Sequence, residues 1–289
     1  MTANDPARAR GPPSRGPPAR APLAEPASVV VGTWNVSWWT PARFPPASSL
    51  QAQVLALQET KLAPLPLASA QRFLRPQGFT LLHGHPVAPS RSPSQGDSCG
   101  VAFLASPGVA LSPLFPVGGP WRRLHSMSRV HAVSLPPRPG LPLGVRLFTV
   151  YAPLERDPVL EAFVPEFISM VASLDLQIPT LFMGDFNGSI DPDQDFNAGD
   201  RRPVSLLLTR LLGPGGPLLD AQLAVSPEDR DFTFRSFRVP PAARSRCDPL
   251  LDSHSALPLV TRVWVEAGVM DGGHSPVLAS LRCTDWTLS

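Results

Sequence analysis

The chain has 289 residues, with 25 basic side chains against 23 acidic ones and 43% hydrophobic residues. That hydrophobic share excludes an intrinsically disordered chain, and no apolar run is long enough to cross a bilayer. Cys99, Cys247 and Cys283 form neither a C-x-x-C pair nor an even-numbered framework, which argues against a disulfide-built secreted domain.

Two biases stand out: proline fills 38 positions, and Lys61 is the single lysine among the 25 basic residues. The usual proline share is only ~5%. Residues 1–28, rich in Pro and Arg and without an apolar h-region, read as a disordered tail rather than a secretory signal. The tail holds Arg8, Arg10, Arg15 and Arg20 against Asp5 and Glu25, so the remainder is balanced at 21 residues of each sign. Net charge therefore neither supports nor excludes a nucleic-acid partner.

Residues 29–284 read as one mixed α/β domain. Short β-branched or apolar runs predict strands at 29–34 and 54–58, and a helix follows at 68–74. Strands are expected next at 100–104 and 145–151. An amphipathic helix is predicted over 158–174, with Leu160, Phe163, Phe167, Ile168 and Val171 at helical spacing. Pro158 suits its first turn and Asp157 its capping position. A strand at 180–184, a helix at 204–212 and strands at 261–265 and 277–281 complete the pass.

The chemistry gathers at the strand ends. In order these are Trp34-Asn35-Val36, Leu57-Gln58-Glu59-Thr60-Lys61, Val150-Tyr151-Ala152-Pro153, Gly184-Asp185-Phe186-Asn187-Gly188, Ser245-Arg246-Cys247-Asp248 and His274-Ser275-Pro276-Val277. A carboxylate, amide, phenol or imidazole at each of several strand ends is what a metal-assisted phosphate site requires. A hard cation wants carboxylate oxygen, a phosphate wants donors, and water wants a base. Singly, each segment also reads as an ordinary turn, edge charge or packed residue. The ordered series carries the signal.

The series WNV, LQETK, VYAP, GDFNG, SRxD and HSPV resembles the endonuclease/exonuclease/phosphatase superfamily of Mg²⁺-dependent phosphodiesterases, from Trp34 to Val277. Gln58-Glu59-Thr60-Lys61 is similar to the DNA-cutting branch of exodeoxyribonuclease III and the apurinic endonucleases. Residues 100–104 followed by Ser106-Pro107, and Phe232-Thr233-Phe234 between GDFNG and SRxD, look closer to the endonuclease domain of LINE-type non-LTR retrotransposons. The resemblance implies a four-layer α/β sandwich, two mixed β-sheets packed face to face with helices outside. It also implies nicking of double-stranded DNA to leave a 3′-hydroxyl and a 5′-phosphate, with Mg²⁺ (or Mn²⁺) as cofactor.

Residue by residue, the resemblance makes Glu59 the ligand of the metal, helped by Asn35. Asp185 would deprotonate the attacking water, and Asn187 would hold that water or a phosphate oxygen. Asp248 would pair with His274 and keep it protonated, while Tyr151 would donate to a phosphate oxygen. Thr233 would touch the DNA backbone. The short 237–244 loop, with Arg238 and Arg244, would probe the minor groove. Trp121-Arg122-Arg123 and Arg201-Arg202 are further candidate phosphate contacts.

Two departures matter. Gly273 stands where the family usually places an acid before the histidine, which predicts weaker metal affinity or turnover. Asp271, two residues back, is the candidate replacement. Ser37 stands where apurinic endonucleases often place an acid, favouring the retrotransposon branch. The chain ends soon after the last motif, so it is read as an excised domain, a truncated element or a stand-alone descendant. The reverse transcriptase domain would then belong to a parent polyprotein, and no membrane partner is expected. A nuclear location follows from the function alone. The competing readings are an apurinic or exonuclease III-like repair enzyme, a small phosphoester phosphatase, and an inactive DNA-binding relic.

Overall fold

The computed structural model describes residues 28–39, 52–86, 99–137, 143–155, 157–191, 203–228, 231–236, 244–269 and 273–282. Of the expected tail, residues 1–27 lie outside the described residues; Ser28 already belongs to the first strand. The chain begins with β1 (Ser28–Asn35), β2 (Val54–Gln58), α1 (Pro64–Leu74), β3 (Thr80–His83) and β4 (Val101–Ala105). Then come β5 (Ser112–Leu114), α2 (Gly119–Ser126), β6 (Val130–Leu135), β7 (Val145–Tyr151) and α3 (Leu160–Ser173). β8 (Thr180–Asp185), α4 (Pro203–Leu212), β9 (Leu218–Asp220), α5 (Ala221–Val225) and β10 (Phe234–Arg235) follow. β11 (Arg244–Ser245), β12 (Leu250–Ser253), β13 (Val260–Val265) and β14 (Val277–Arg282) close the domain.

These strands build two six-stranded mixed sheets, ordered β13-β14-β1-β2-β4-β3 and β5-β6-β7-β8-β12-β9, and a ribbon of β10 with β11. Each large sheet has one parallel pair, β1 with β2 in the first and β7 with β8 in the second. The carboxyl ends of these four strands lie together. The architecture is the expected α/β sandwich, with helices outside the paired sheets.

The two-residue side-chain period decides which end of the sandwich is polar. On β1, Val29 and Val31 enter the layer between the sheets, whereas Trp34 joins the outer layer against α1. On β2, Val54 and Ala56 face inward, and Leu55 and Leu57 outward. Val145 and Leu147 of β7 and Leu181 and Met183 of β8 meet them from the other sheet. The outer face of that sheet stacks Phe148 on Phe182 beneath Phe163 and Phe167 of α3. Continuing the inward positions along each strand gives Thr33 and Asn35, then Gln58, then Thr149 and Tyr151, then Asp185. One face of each strand therefore changes from apolar to polar toward its carboxyl end.

The first polar layer joins the sheets. Gln58 Nε2 donates to Thr149 Oγ1 at 2.9 Å, and Gln58 Oε1 accepts from Thr33 Oγ1 at 3.1 Å. All three residues are fully buried, so the bonds replace water that their amide and hydroxyl groups cannot reach.

Every predicted strand and helix is present, with β2 and β7 at the predicted bounds. The start of α3 differs from expectation. Leu160 is its first residue, and Pro158-Val159 form a preceding turn in which Asp157 Oδ1 accepts from Val159 N at 3.0 Å. Phe163, Phe167 and Val171 are buried as the spacing predicts, but Met170 is buried and Ile168 lies at the margin. The elements that the pattern does not announce are β3, β5, β6, β9 to β12, α2 and α5. Most are too short to show a period.

Thr149→Val tests the polar layer, because it keeps the shape and removes the acceptor of the Gln58 amide. The expected loss is about 1–3 kcal/mol, the cost of one buried unpaired donor, read by urea unfolding. A change within the error of the Thr261→Val control on the exposed side of β13 would contradict it.

Candidate active site

Directly above this layer, Asn35 ends β1 and joins two carboxylates. Its Nδ2 donates to Asp185 Oδ2 at 2.8 Å and to Glu59 Oε1 at 3.2 Å, while its Oδ1 accepts from Ser37 N at 2.8 Å. The Ser37 bond fixes the amide with its nitrogen toward the acids. Asn35 therefore presents a donor to the centre, between the two acids.

Glu59 follows β2 in a left-handed conformation, φ 52°, and Ser37 and Asn187 after β1 and β8 share that region. Non-glycine residues reach it at a cost, and such strain collects where side chains must be aimed. Tyr151 donates its hydroxyl to Glu59 Oε1 at 2.7 Å, and Lys61 Nζ lies 2.9 Å from Glu59 Oε2. Burial opposes ionisation of Glu59, but Lys61, Tyr151 and Asn35 together hold its pKa below the usual carboxylate value. Tyr151 is 1% exposed, and burial followed by the nearby Glu59 and Asp185 charges pushes its pKa up. It stays a neutral donor, and here its hydroxyl proton serves Glu59. Behind its ring, Arg129 stacks 5.0 Å from the centroid and pairs with Asp157.

Asp185 ends β8, and Gly184 before it lets β7 and β8 approach. A Cβ at Gly184 would lie 1.8 Å from Val150 O. Asp185 Oδ1 accepts from Asn187 N at 2.8 Å, and Asn187 Nδ2 donates to Ala152 O at 2.8 Å. Asn187 thus positions Asp185 through its main-chain N–H and gives one of its two amide hydrogens to the main chain. Burial, with Asp248 adding to it, raises Asp185 to about 7 despite the opposing His274.

The third corner is His274. Its Nδ1–H donates to Asp248 Oδ2 at 3.0 Å, and its Nε2 lies 3.8 Å from Asp185 Oδ2, too long for a direct hydrogen bond. Burial alone would lower its pKa, but Asp248 above all, then Asp185 and Glu59, raise it to about 9. Thr233 is buried. Its hydroxyl donates to Asp248 Oδ2 at 2.7 Å and accepts from Cys247 N and Asp248 N at 3.2 Å. Its expected contact with a DNA backbone is corrected: it orients Asp248. Phe234 lies against the His274 ring at 4.7 Å, and Trp34 Nε1 donates to His274 O at 3.3 Å.

Arg244 is exposed on β11, whereas Arg238, Asp271, Arg201 and Arg202 lie outside the described residues. Arg123 is committed to Glu166 at 2.7 Å and Trp121 is buried in the α2–α3 layer, which leaves the exposed Arg122 as that segment's candidate phosphate contact. Residues that the motifs left without a role are Lys61, Gln58, Thr149 and Arg129. Lys61 had a signal, being the sole lysine. Trp38, 59% exposed just beyond the Ser37 turn, is the large apolar side chain at the rim.

Glu59 and Asp185 offer carboxylate oxygens within reach of one amide nitrogen, and Asp248 adds a third anion nearby. This donor set fits a hard, oxygen-ligated divalent cation at Glu59 and Asp185.

Gly273 has a positive φ of 96°, and a Cβ there would lie 2.5 Å from Arg235 O and 3.0 Å from the Phe234 ring. An acid in its place would therefore be strained. Gly273→Ala should cost about 1–3 kcal/mol in thermal or urea unfolding, and an unchanged midpoint would contradict this. The raised His274 pKa sets a second expectation. Stabilisation by its pair with Asp248 is complete below pH 6.5, declines as pH rises and is lost above about 9. Ring NMR should show His274 titrating near 9 and Asp248→Asn lowering that value; no response to the substitution would contradict the pairing.

No family model matches the chain, and no curated protein matches its sequence. Solved structures do. An AP endonuclease from Archaeoglobus fulgidus superposes with TM-score 0.66 and 14% identity over 88% of this chain and 100% of that one. A 3′ phosphatase, NExo, from Neisseria, bound to a product DNA hairpin, gives TM-score 0.62 and 21% identity over 89% and 100%. The endonuclease domain of TRAS1, a telomere-specific non-LTR retrotransposon, gives 0.60 and 15% over 89% and 100%. The chain has the endonuclease/exonuclease/phosphatase fold that these proteins share.

Proposed function

We propose that this protein is a divalent-metal-dependent phosphodiesterase that nicks double-stranded DNA, leaving a 3′-hydroxyl and a 5′-phosphate. The observation that carries the reading is the convergence of Glu59, Asp185 and the Asp248–His274 pair on one point. Two of these groups have pKa values moved in the directions that hydrolysis needs. Asp185, raised to about 7 in the metal-free site, is placed to take a proton from water, and a bound cation would lower that value. His274, raised to about 9, keeps a proton on Nε2 for a phosphate oxygen as charge develops. Asn35 and Asn187 hold Asp185 in place, and Tyr151 and Lys61 hold Glu59. Glu59 and Asp185 would hold the Mg²⁺ or Mn²⁺, which when bound would supply neutralisation of charge on the scissile phosphate.

DNA as substrate is supported by the six motifs and by the structures sharing this fold, one of them holding a DNA product. The finer reading is the target-nicking endonuclease of a non-LTR retrotransposon, acting in the nucleus beside a reverse transcriptase domain. It rests on the resemblance around Gly100, Ser106-Pro107 and Thr233 and on the likeness to the TRAS1 domain.

Supercoiled plasmid with Mg²⁺ is the test. Wild type should convert it to the open circle with ligatable 3′-hydroxyl ends, and Asp185→Ala should lose roughly 100-fold or more. Equal inactivity of both proteins would overturn the catalytic reading. A strong preference for a duplex with an abasic site would replace the retrotransposon role with repair. Release of phosphate from a small phosphoester without nicking would make it a phosphatase.

A further inference from the structure

Cys247 lies between Arg246 and Asp248, and hydrolysis has no use for it. Its Sγ–H donates to Asp248 Oδ2 at 3.4 Å, and the Asp248 oxygens lie 3.0 and 3.2 Å from His274 Nδ1. One donor atom from each of Cys247, Asp248 and His274 lies within 4.8 Å of the other two, and all three residues are buried. A thiol, a carboxylate and an imidazole are a different donor set from that at Glu59 and Asp185. Sulfur and nitrogen suit a borderline-soft, four-coordinate cation, whereas Mg²⁺ prefers oxygen alone.

Two of the three donor separations match a tetrahedral ion, and the third is within 4.8 Å. Bonds of about 2.0–2.3 Å to a tetrahedral Zn²⁺ hold neighbouring donors about 3.3–3.6 Å apart. The Cys247–Asp248 and Asp248–His274 separations are already within a few tenths of an ångström of that range. Thr233 braces Asp248 through its hydroxyl at 2.7 Å, and Phe234 limits tilting of the imidazole at 4.7 Å. The ligands are therefore oriented before any ion arrives.

We propose that Cys247, Asp248 and His274 form an inhibitory Zn²⁺ site, separate from the oxygen-donor site at Glu59 and Asp185. One Zn²⁺ enters and two protons leave, one from the Cys247 thiol and one from His274 Nδ1, with no change of oxidation state. The hydrogen bond from His274 to Asp248 is replaced by coordination, and the imidazole loses its positive charge. Loss of activity rests on the function proposed above; binding of the ion does not.

Co²⁺ separates the two claims, because a thiolate ligand gives it an intense near-ultraviolet charge-transfer band. Full-length protein freed of metal by chelation should bind one Co²⁺ with this band. Zn²⁺ should abolish the band, and excess Mg²⁺ should not. Cys247→Ser and Cys247→Ala should lack it, while a variant with Cys99 and Cys283 replaced should keep it. In plasmid nicking, Cys247→Ser should retain wild-type activity with Mg²⁺ and require at least 10-fold more Zn²⁺ for half inhibition. Absence of the band in wild type, or its persistence in Cys247→Ser, overturns the site even if the protein nicks no DNA. A band that depends on Cys247, with equal zinc sensitivity of wild type and Cys247→Ser, overturns the inhibition.

Discussion

At the centre of the molecule, a single amide nitrogen on Asn35 donates to two carboxylates that come from different sheets. Glu59 follows β2 of the first sheet, and Asp185 ends β8 of the second. The bridge works because the two parallel pairs end together, and because inward-facing positions turn polar at those ends. Beneath it, Thr33, Gln58 and Thr149 join the sheets with buried bonds; farther along the same strands only aliphatic groups meet. A register slip of one residue in β1 or β8 would send Asn35 or Asp185 outward. The valines and leucines of the inner layer thereby help to specify the site.

Charge placement follows from this geometry. The same crowding of acids produces opposite results at different corners. Glu59 lies beside Lys61 and is held below the usual carboxylate value, whereas burial and then the Asp248 charge raise Asp185 to about 7 against the opposing His274. His274 gains from the acids what burial would take away. The backbone contributes as well. Ser37, Glu59, Lys61 and Asn187 all adopt left-handed conformations just beyond strand ends, where the chain must turn sharply while its side chains stay aimed at one another.

The long apolar runs were legible in the sequence because they carry a period: Val54–Gln58 and Val145–Tyr151 have their predicted bounds. β6 was not, since His131 and Ser134 interrupt its apolar pattern; β9 to β12 are only two to four residues long. The site was legible as an ordered series of motifs, and the structure brings Asn35, Glu59, Tyr151, Asp185, Asn187, Asp248 and His274 together. Apart from the Asp248–His274 pair, which the resemblance implied, partner choice was not. Spacing does not reveal that Tyr151 donates to Glu59, that Asn35 turns its nitrogen inward, or that Thr233 is spent on Asp248. Nor does it reveal that Gly273 is required by a positive φ and the nearby Arg235 carbonyl, a constraint that only the fold supplies.

The central claim is that the carboxylates of Glu59 and Asp185 form an anionic pair at the sheet ends whose charge a hard divalent cation completes. Carbon-13 NMR of the aspartate side-chain carboxyls, with Asp185 assigned by substitution, reads that charge directly. Without metal, Asp185 should titrate near 7, and saturating Mg²⁺ should shift the titration well downward in wild type but not in Glu59→Gln. A titration unmoved by Mg²⁺ in wild type, or equally moved in both proteins, would contradict the account.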